Sequence, residues 1–253
     1  LYDEPYRRYF VNRRDLAVRH GLNPAKRWVF FPENYNWAFY PKQFLRAFVT
    51  RGQTEDEVQE MREFCTRSFR EVMRWFGGVA RTGDVELIVR PRPATDLADF
   101  RDAVIRELGE LPPSMHLIQG ETVREWIMAS DIVLSSHSTS LIEAAIAGRT
   151  GYMVTPFPVP SLLLQEWHPL VTRLETEQAF RNAIYGPAGH DPQPLATWAR
   201  SRFMSRGDAI VGLADHLAQV VRGEVRHPPT PSRLCATAQG DTYRVPKWVW
   251  FVF

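Results

Sequence analysis

The chain has 253 residues, 44% hydrophobic and 24% charged, enough to bury a large core as one domain or two small ones. A net charge of +2 supplies no bulk field toward nucleic acid or an acidic membrane. The two cysteines, Cys65 and Cys235, match no metal or redox spacing and suit a reducing cytosol, and no apolar run approaches the ~18 residues of a spanning helix.

The chain opens at Leu1 in a charged aromatic stretch without a signal-peptide pattern, which reads as a fragment of something longer. Residues 1–26 are a lead-in. "RWVFFP" (Arg27 to Pro32) is the first predicted strand. "TEDEVQEMREFCTRSFREVMRWF" follows, with Thr54 as a cap, acids in the first turn and apolar residues at helical spacing. "VELIVR" is the second strand, closed by Pro91 and Pro93, and "DLADFRDAVIREL" the next amphipathic helix. "MHLIQ", "DIVLSS" and "TGYMVTP" are three more strands, separated by helices at "VREWIMA" and "TSLIEAAIAG", the latter stopped by Gly148. "PLVTRL" and "ETEQAFRNAIY" supply a last strand and helix. Apolar strands alternating with helices specify an α/β fold: a doubly wound, Rossmann-like parallel sheet with helices on both faces, over 27–185. Residues 186–253 hold a Pro/Gly linker to Pro194, a helical stretch from Leu195 to Val221 and an aromatic tail, "VPKWVWFVF". Apolar on both faces, that tail is expected to be buried, by docking on a protein surface in preference to a membrane.

In such sheets ligands bind beyond the carboxyl ends of the strands. "SSHSTS" (Ser135 to Ser140) falls on that edge, where a helix start offers unpaired N–H groups and hydroxyls to a phosphate. Plain N-capping by Ser138 or Thr139 is the alternative, though capping needs one hydroxyl. Glu143, one turn into the helix, could accept bonds from ribose hydroxyls or serve the helix dipole. Arg90 and Arg92 in "VRPRP" offer donor forks to a phosphate, or form a solvated turn. After the first strand, "FPENYNWAFYP" gathers Glu33, Asn34, Asn36 and Trp37, polar tips and an aromatic face of the kind that grips sugars. Glu33 is a candidate base or nucleophile and His137 a candidate base or hydrogen bonder, while Trp37 and Phe39 also suit packing on a neighbouring domain. No GxxxxGK[ST], GxGxxG, GxSxG, HExxH or Asp-x-Asp sequence occurs, which speaks against NTPase, dinucleotide, hydrolase-elbow and GT-A readings.

The order of elements, "RPRP" and "ASDIVLSSHSTSLIEAAIAG" resemble the carboxy-terminal, donor-binding half of GT-B-fold glycosyltransferases, from about Leu22 to Tyr185. Within that group the chain is similar to bacterial surface-polysaccharide enzymes: the CMP-sugar-using Kdo transferases and polysialyltransferases, and CDP-glycerol glycerophosphotransferases. "FFPENYNWAF" resembles the first strand and loop of the surface carbohydrate biosynthesis group. In those families a His-Pro dipeptide after a strand and a Ser/Thr cluster at a helix start hold the donor. Here Arg92 stands in place of that His. Arginine binds phosphate but shuttles no proton at neutral pH, which weakens the inference to CMP donors and leaves another nucleotide or a decayed site as alternatives. His168-Pro169 follows a loop and is not put in its place.

The resemblance implies a metal-independent GT-B-type transferase without a cofactor. It would move Kdo or another acidic sugar from a nucleotide-sugar donor, a CMP-sugar first, to a glycan acceptor in capsule or O-antigen assembly. Glu33 would be catalytic; Arg90, Arg92, Ser136, His137, Ser138, Thr139, Ser140 and Glu143 would hold the donor; Asn34, Asn36 and Trp37 would touch sugar. An amino-terminal acceptor domain would precede the chain, and the enzyme would work in the cytoplasm or at the inner membrane. A sugar-nucleotide epimerase of the same fold and a silent nucleotide- or partner-binding domain are the alternatives.

Overall fold

The computed structural model describes residues 8–187, 191–203 and 209–224. The predicted tail at 245–253 lies outside the described residues. The chain divides into two compact units, Leu1–Trp198 and Ala199–Phe253.

The first unit is built on β1 (Arg27–Pro32), β2 (Val85–Arg90), β3 (Met115–Leu117), β4 (Ile132–Ser135), β5 (Thr150–Val154) and β6 (Arg173–Leu174). All pair in parallel, in the order β3-β2-β1-β4-β5-β6. The chain runs outward from β1 to β3, crosses back to β4 and continues to β6, so the order reverses between β1 and β4. This is a doubly wound α/β sheet.

Its helices are α1 (Arg13–His20), α2 (Lys42–Thr50), α3 (Glu55–Ala80), α4 (Leu97–Leu108), α5 (Val123–Ala129), α6 (Ser140–Ile146) and α7 (Glu177–Tyr185). α3, α4 and α7 pack together on one face, and α5 and α6 on the other. β1 shows why both layers form. Successive side chains of a strand point to opposite faces, so Phe31 meets Phe76 of α3 edge-on at 4.9 Å while Phe30 stacks on Trp126 of α5 at 6.3 Å. A strand apolar at every position is stable only when covered on both sides.

Local chemistry sets the helix starts. Thr54 and Glu57 close a capping box on α3, with Glu57 N–H donating to Thr54 Oγ1 at 3.1 Å and Thr54 N–H to Glu57 Oε2 at 2.9 Å. Thr122 and Glu125 repeat the device on α5, and Asp96 caps α4. Gly148, at φ 69, ends the α6 segment in the left-handed region that glycine adopts freely.

Three elements differ from the sequence reading. The "PLVTRL" strand shrinks to Arg173–Leu174, because Pro169 has no N–H for a ladder and sits in a 3-10 turn, His168–Leu170. α8 (Gln193–Phe203) begins inside the expected linker, with Pro194 in the first turn where proline is tolerated. The expected helical stretch to Val221 comprises α8 and a separate α9 (Ala209–Val221) in the second unit. α1, α2 and a 3-10 turn at Asn36–Ala38 were not foreseen. α1 is anchored where β1 and β4 begin: Arg13 pairs with Asp131 at 2.9 Å and lies over the Trp28 ring.

Candidate functional site

The loops after β1 and β4 flank the point where strand order reverses, and side chains join them there. Ser136 Oγ donates to Asn34 Oδ1, bridging the two loops. Its single hydroxyl proton is thereby used, so at the 2.9 Å contact with His137 the oxygen accepts from Nδ1–H. That bond assigns the His137 tautomer and leaves Nε2 with its lone pair. Burial, then the charges of His168 and Arg92, hold His137 down to about 3, so the ring is neutral. Below this pair, Ser135 Oγ donates to Pro32 O at 3.4 Å.

Glu33 is 2% exposed. Its N–H donates to Arg90 O at 2.9 Å, continuing the β1–β2 ladder, and its Oε1 accepts from Tyr35 N–H. Oε2 is buried and has no hydrogen-bond partner among the described residues. Burial raises its pKa to about 7, against the Tyr35 N–H bond and the Arg92 charge, which both lower it. The neighbouring Tyr35 hydroxyl is also buried, and burial raises its pKa well above 10, against the Ser136 side chain, which lowers it. Cys65 of α3 lies beside both groups, and burial pushes its thiol up, which leaves it unreactive.

Arg92 is positioned through its backbone. Gln119 Nε2 donates to Arg92 O at 3.0 Å and to Thr95 O at 2.7 Å, fixing the loop after β2. Arg90 serves the same loops: Nη2 donates to Gln119 O at 3.3 Å and Glu121 O at 3.0 Å, and burial lowers its pKa while Glu121 opposes the shift. Glu121 itself is left-handed, at φ 56. With the Asn36 amide oxygen toward Arg92, it accepts from Nη1 at 3.3 Å and from the Tyr40 hydroxyl, and its nitrogen donates to Asn34 O at 3.3 Å. Among the described residues no carboxylate comes within ion-pair distance of the Arg92 guanidinium.

The other predicted residues make contacts of their own. Ser138 Oγ accepts from Ser140 N–H at 3.3 Å and lies 2.7 Å from Ser140 Oγ. Thr139 is exposed and its side chain makes no capping bond. Glu143 pairs with Arg124 of α5, at 3.7 Å. Trp37 is 2% exposed, its ring stacked on Phe48 of α2 at 4.4 Å. Phe39 packs edge-on against Phe69 of α3.

No protein-family model matches the chain, and no curated protein matches it. Among solved structures it is similar to the glycosyltransferase SnogD from Streptomyces nogalater, with a TM-score of 0.45 and 14% identity over 78% of this chain and 44% of that one. It is also similar to the wall teichoic acid polymerase TagF, with a TM-score of 0.46 and 10% identity over 85% of this chain and 46% of that one. The chain thus spans less than half the length of either protein. Among the described residues no helix is long and apolar enough to cross a membrane, and no group of three or more His, Cys, Asp or Glu side chains is placed to hold a metal ion.

One further side chain neighbours His137. His168 is 1% exposed and close enough to His137 for its charge to oppose protonation there. The sequence reading set the His168-Pro169 dipeptide aside because it follows a loop; that loop is the one that leaves β5.

Proposed function

We propose that the chain is the donor-binding half of a glycosyltransferase, with the nucleotide phosphate held between the loops after β1 and β4. The observation that carries this reading is the convergence at the switch point of Arg92, Ser136 and His137 with the buried carboxyl of Glu33. Doubly wound sheets bind ligands at that place. Arg92, with no carboxylate in ion-pair distance among the described residues, supplies a positive fork for the phosphate, and the Ser138 and Thr139 hydroxyls follow Ser136 along the loop after β4. Charge developing on a leaving nucleotide would be met by these fixed donors.

On this reading Glu33 is the base that takes the acceptor proton. A carboxyl that titrates near neutrality is matched to that task, and Oε2 is its unengaged oxygen. Asn34 and Asn36 would position the sugar, while Trp37 and Arg90 support the loops. A CMP-linked acidic sugar such as Kdo is the donor put first, a surface glycan the acceptor, and an amino-terminal domain the source of the acceptor site. The donor domain would span residues 27–185.

A thermal-shift titration with CMP, CDP, UDP and GDP tests the proposal. A ligand at ~100 times its dissociation constant stabilises by ~2.7 kcal/mol, so at least one nucleotide is expected to raise the melting temperature. Arg92→Gln should abolish the rise. No response to any of the four would refute the reading. Binding without sugar transfer from the matching donor would instead identify a silent nucleotide-binding domain.

A further inference from the structure

His168 lies in the 3-10 turn between β5 and β6, and its ring is held from two sides. Trp167 meets it edge-on at 4.4 Å, and Gln165 N–H donates to Nδ1 at 3.3 Å. A nitrogen that accepts cannot carry the proton, so the neutral ring bears it on Nε2. This N–H is buried on a side chain 1% exposed and meets no acceptor among the described residues. An unpaired buried donor is costly. This one lies in the loop that leaves β5, the strand paired with β4, and the charges of His168 and Arg92 both disfavour protonation of His137.

We propose that His168 is a binding residue of the candidate site, its Nε2–H donating to a phosphate oxygen of the nucleotide ligand. This rests on the reading of the chain as a nucleotide-sugar-binding domain and adds the β5–β6 loop to the binding surface. Gln165 N–H has a specific part: it fixes the tautomer, so the donor is present with no charge on the ring. Burial, and then the Arg173 charge, hold His168 down to about 4, which keeps it neutral throughout the physiological range. Arg92 then supplies the cation and His168 a neutral, directed hydrogen bond. The two are expected to fail differently. Removing Arg92 should weaken binding in a salt-dependent way, whereas removing the His168 donor should weaken it equally at low and high salt.

Calorimetric titration of CMP, CDP, UDP and GDP into the wild type, His168→Phe and His168→Gln tests this. Glutamine can place an amide N–H near the position of Nε2, and phenylalanine keeps the ring without a donor. The expected result is at least tenfold weaker binding in His168→Phe, as for a lost bond to a charged group, with His168→Gln within about threefold of the wild type. Should His168→Phe fail to fold, His168→Asn replaces it: its carbonyl still accepts from Gln165 N–H, and the donor at Nε2 is gone. Unchanged affinity on loss of the donor, or equal loss in the glutamine variant, would overturn the role of His168 and leave the nucleotide reading standing. A wild type that binds none of the four nucleotides would overturn both.

Discussion

Glu33 carries the clearest consequence at the scale of a single residue. Its folded pKa is raised from 4.5 to about 7, so it favours the protonated state of the folded protein. Stability from this group is therefore fully present below pH 4.5 and is lost as pH rises through 7. At about 1.4 kcal/mol per unit, the loss is about 3 kcal/mol. His137 and His168 act in the opposite sense, losing stability as pH falls from 6.5 toward about 3 and about 4. Glu33→Gln isolates the carboxyl, because the amide oxygen still accepts from Tyr35 N–H. The variant should be more stable than the wild type at pH 8, by up to about 3 kcal/mol in urea melts, and equal to it at pH 4. On the proposed function it should also bind nucleotide normally and transfer no sugar. Equal stability at both pH values would contradict the assignment of a buried, nearly neutral carboxyl. The residue itself was legible in "FPENYNWAF" as a polar group at a strand end. Its burial was not, because Cys65, which lies beside it, becomes a neighbour only when α3 packs over the loop.

At the scale of elements, the loop after β1 is held by aromatic packing as much as by hydrogen bonds. Trp37 stacks on Phe48, Tyr40 on Phe44 and Phe48, and Phe39 sits against Phe69 and Phe100. The sequence presents these rings as a sugar-gripping cluster or as packing, and burial of Trp37 sets its ring against α2. Trp37→Ala should therefore cost about 3–5 kcal/mol, the range for truncating a large aromatic in a core. A ring serving only as a sugar platform would give little stability change and a raised acceptor KM. α2 escaped the sequence reading for a related reason: the helix is short, follows Pro41, and gains its order from contacts with Trp37 and Tyr40. The long α3 was legible to Phe76, because its cap, first-turn acids and apolar stripe all agree, and only its last turn, through Gly77 and Gly78 to Ala80, was not. Arg90 shows the opposite case. An arginine closing a strand reads as a phosphate fork, yet its partners are backbone carbonyls 29 and 31 residues along the chain, and no local pattern records them.

For the whole molecule, strand alternation alone specified a parallel, doubly wound sheet, because strands apolar at every position demand two helical layers. The order β3-β2-β1-β4-β5-β6 then fixes which loops face each other, and it brings the "FPENYNW" and "SSHSTS" stretches together although about a hundred residues separate them. The β5–β6 loop was the part least legible, since the role proposed for it depends on one imidazole tautomer and on its place beside the loop after β4. The most direct measurement of the central claim is a crystal structure of the chain with the tightest-binding of the four nucleotides. The expected result is a phosphate between the carboxyl ends of β1 and β4, with oxygens within about 3 Å of the Arg92 guanidinium and of donors in the Ser136–Ser138 loop. A nucleotide bound elsewhere on the sheet, with the Arg92 and Ser136 side chains unmoved and untouched, would contradict it.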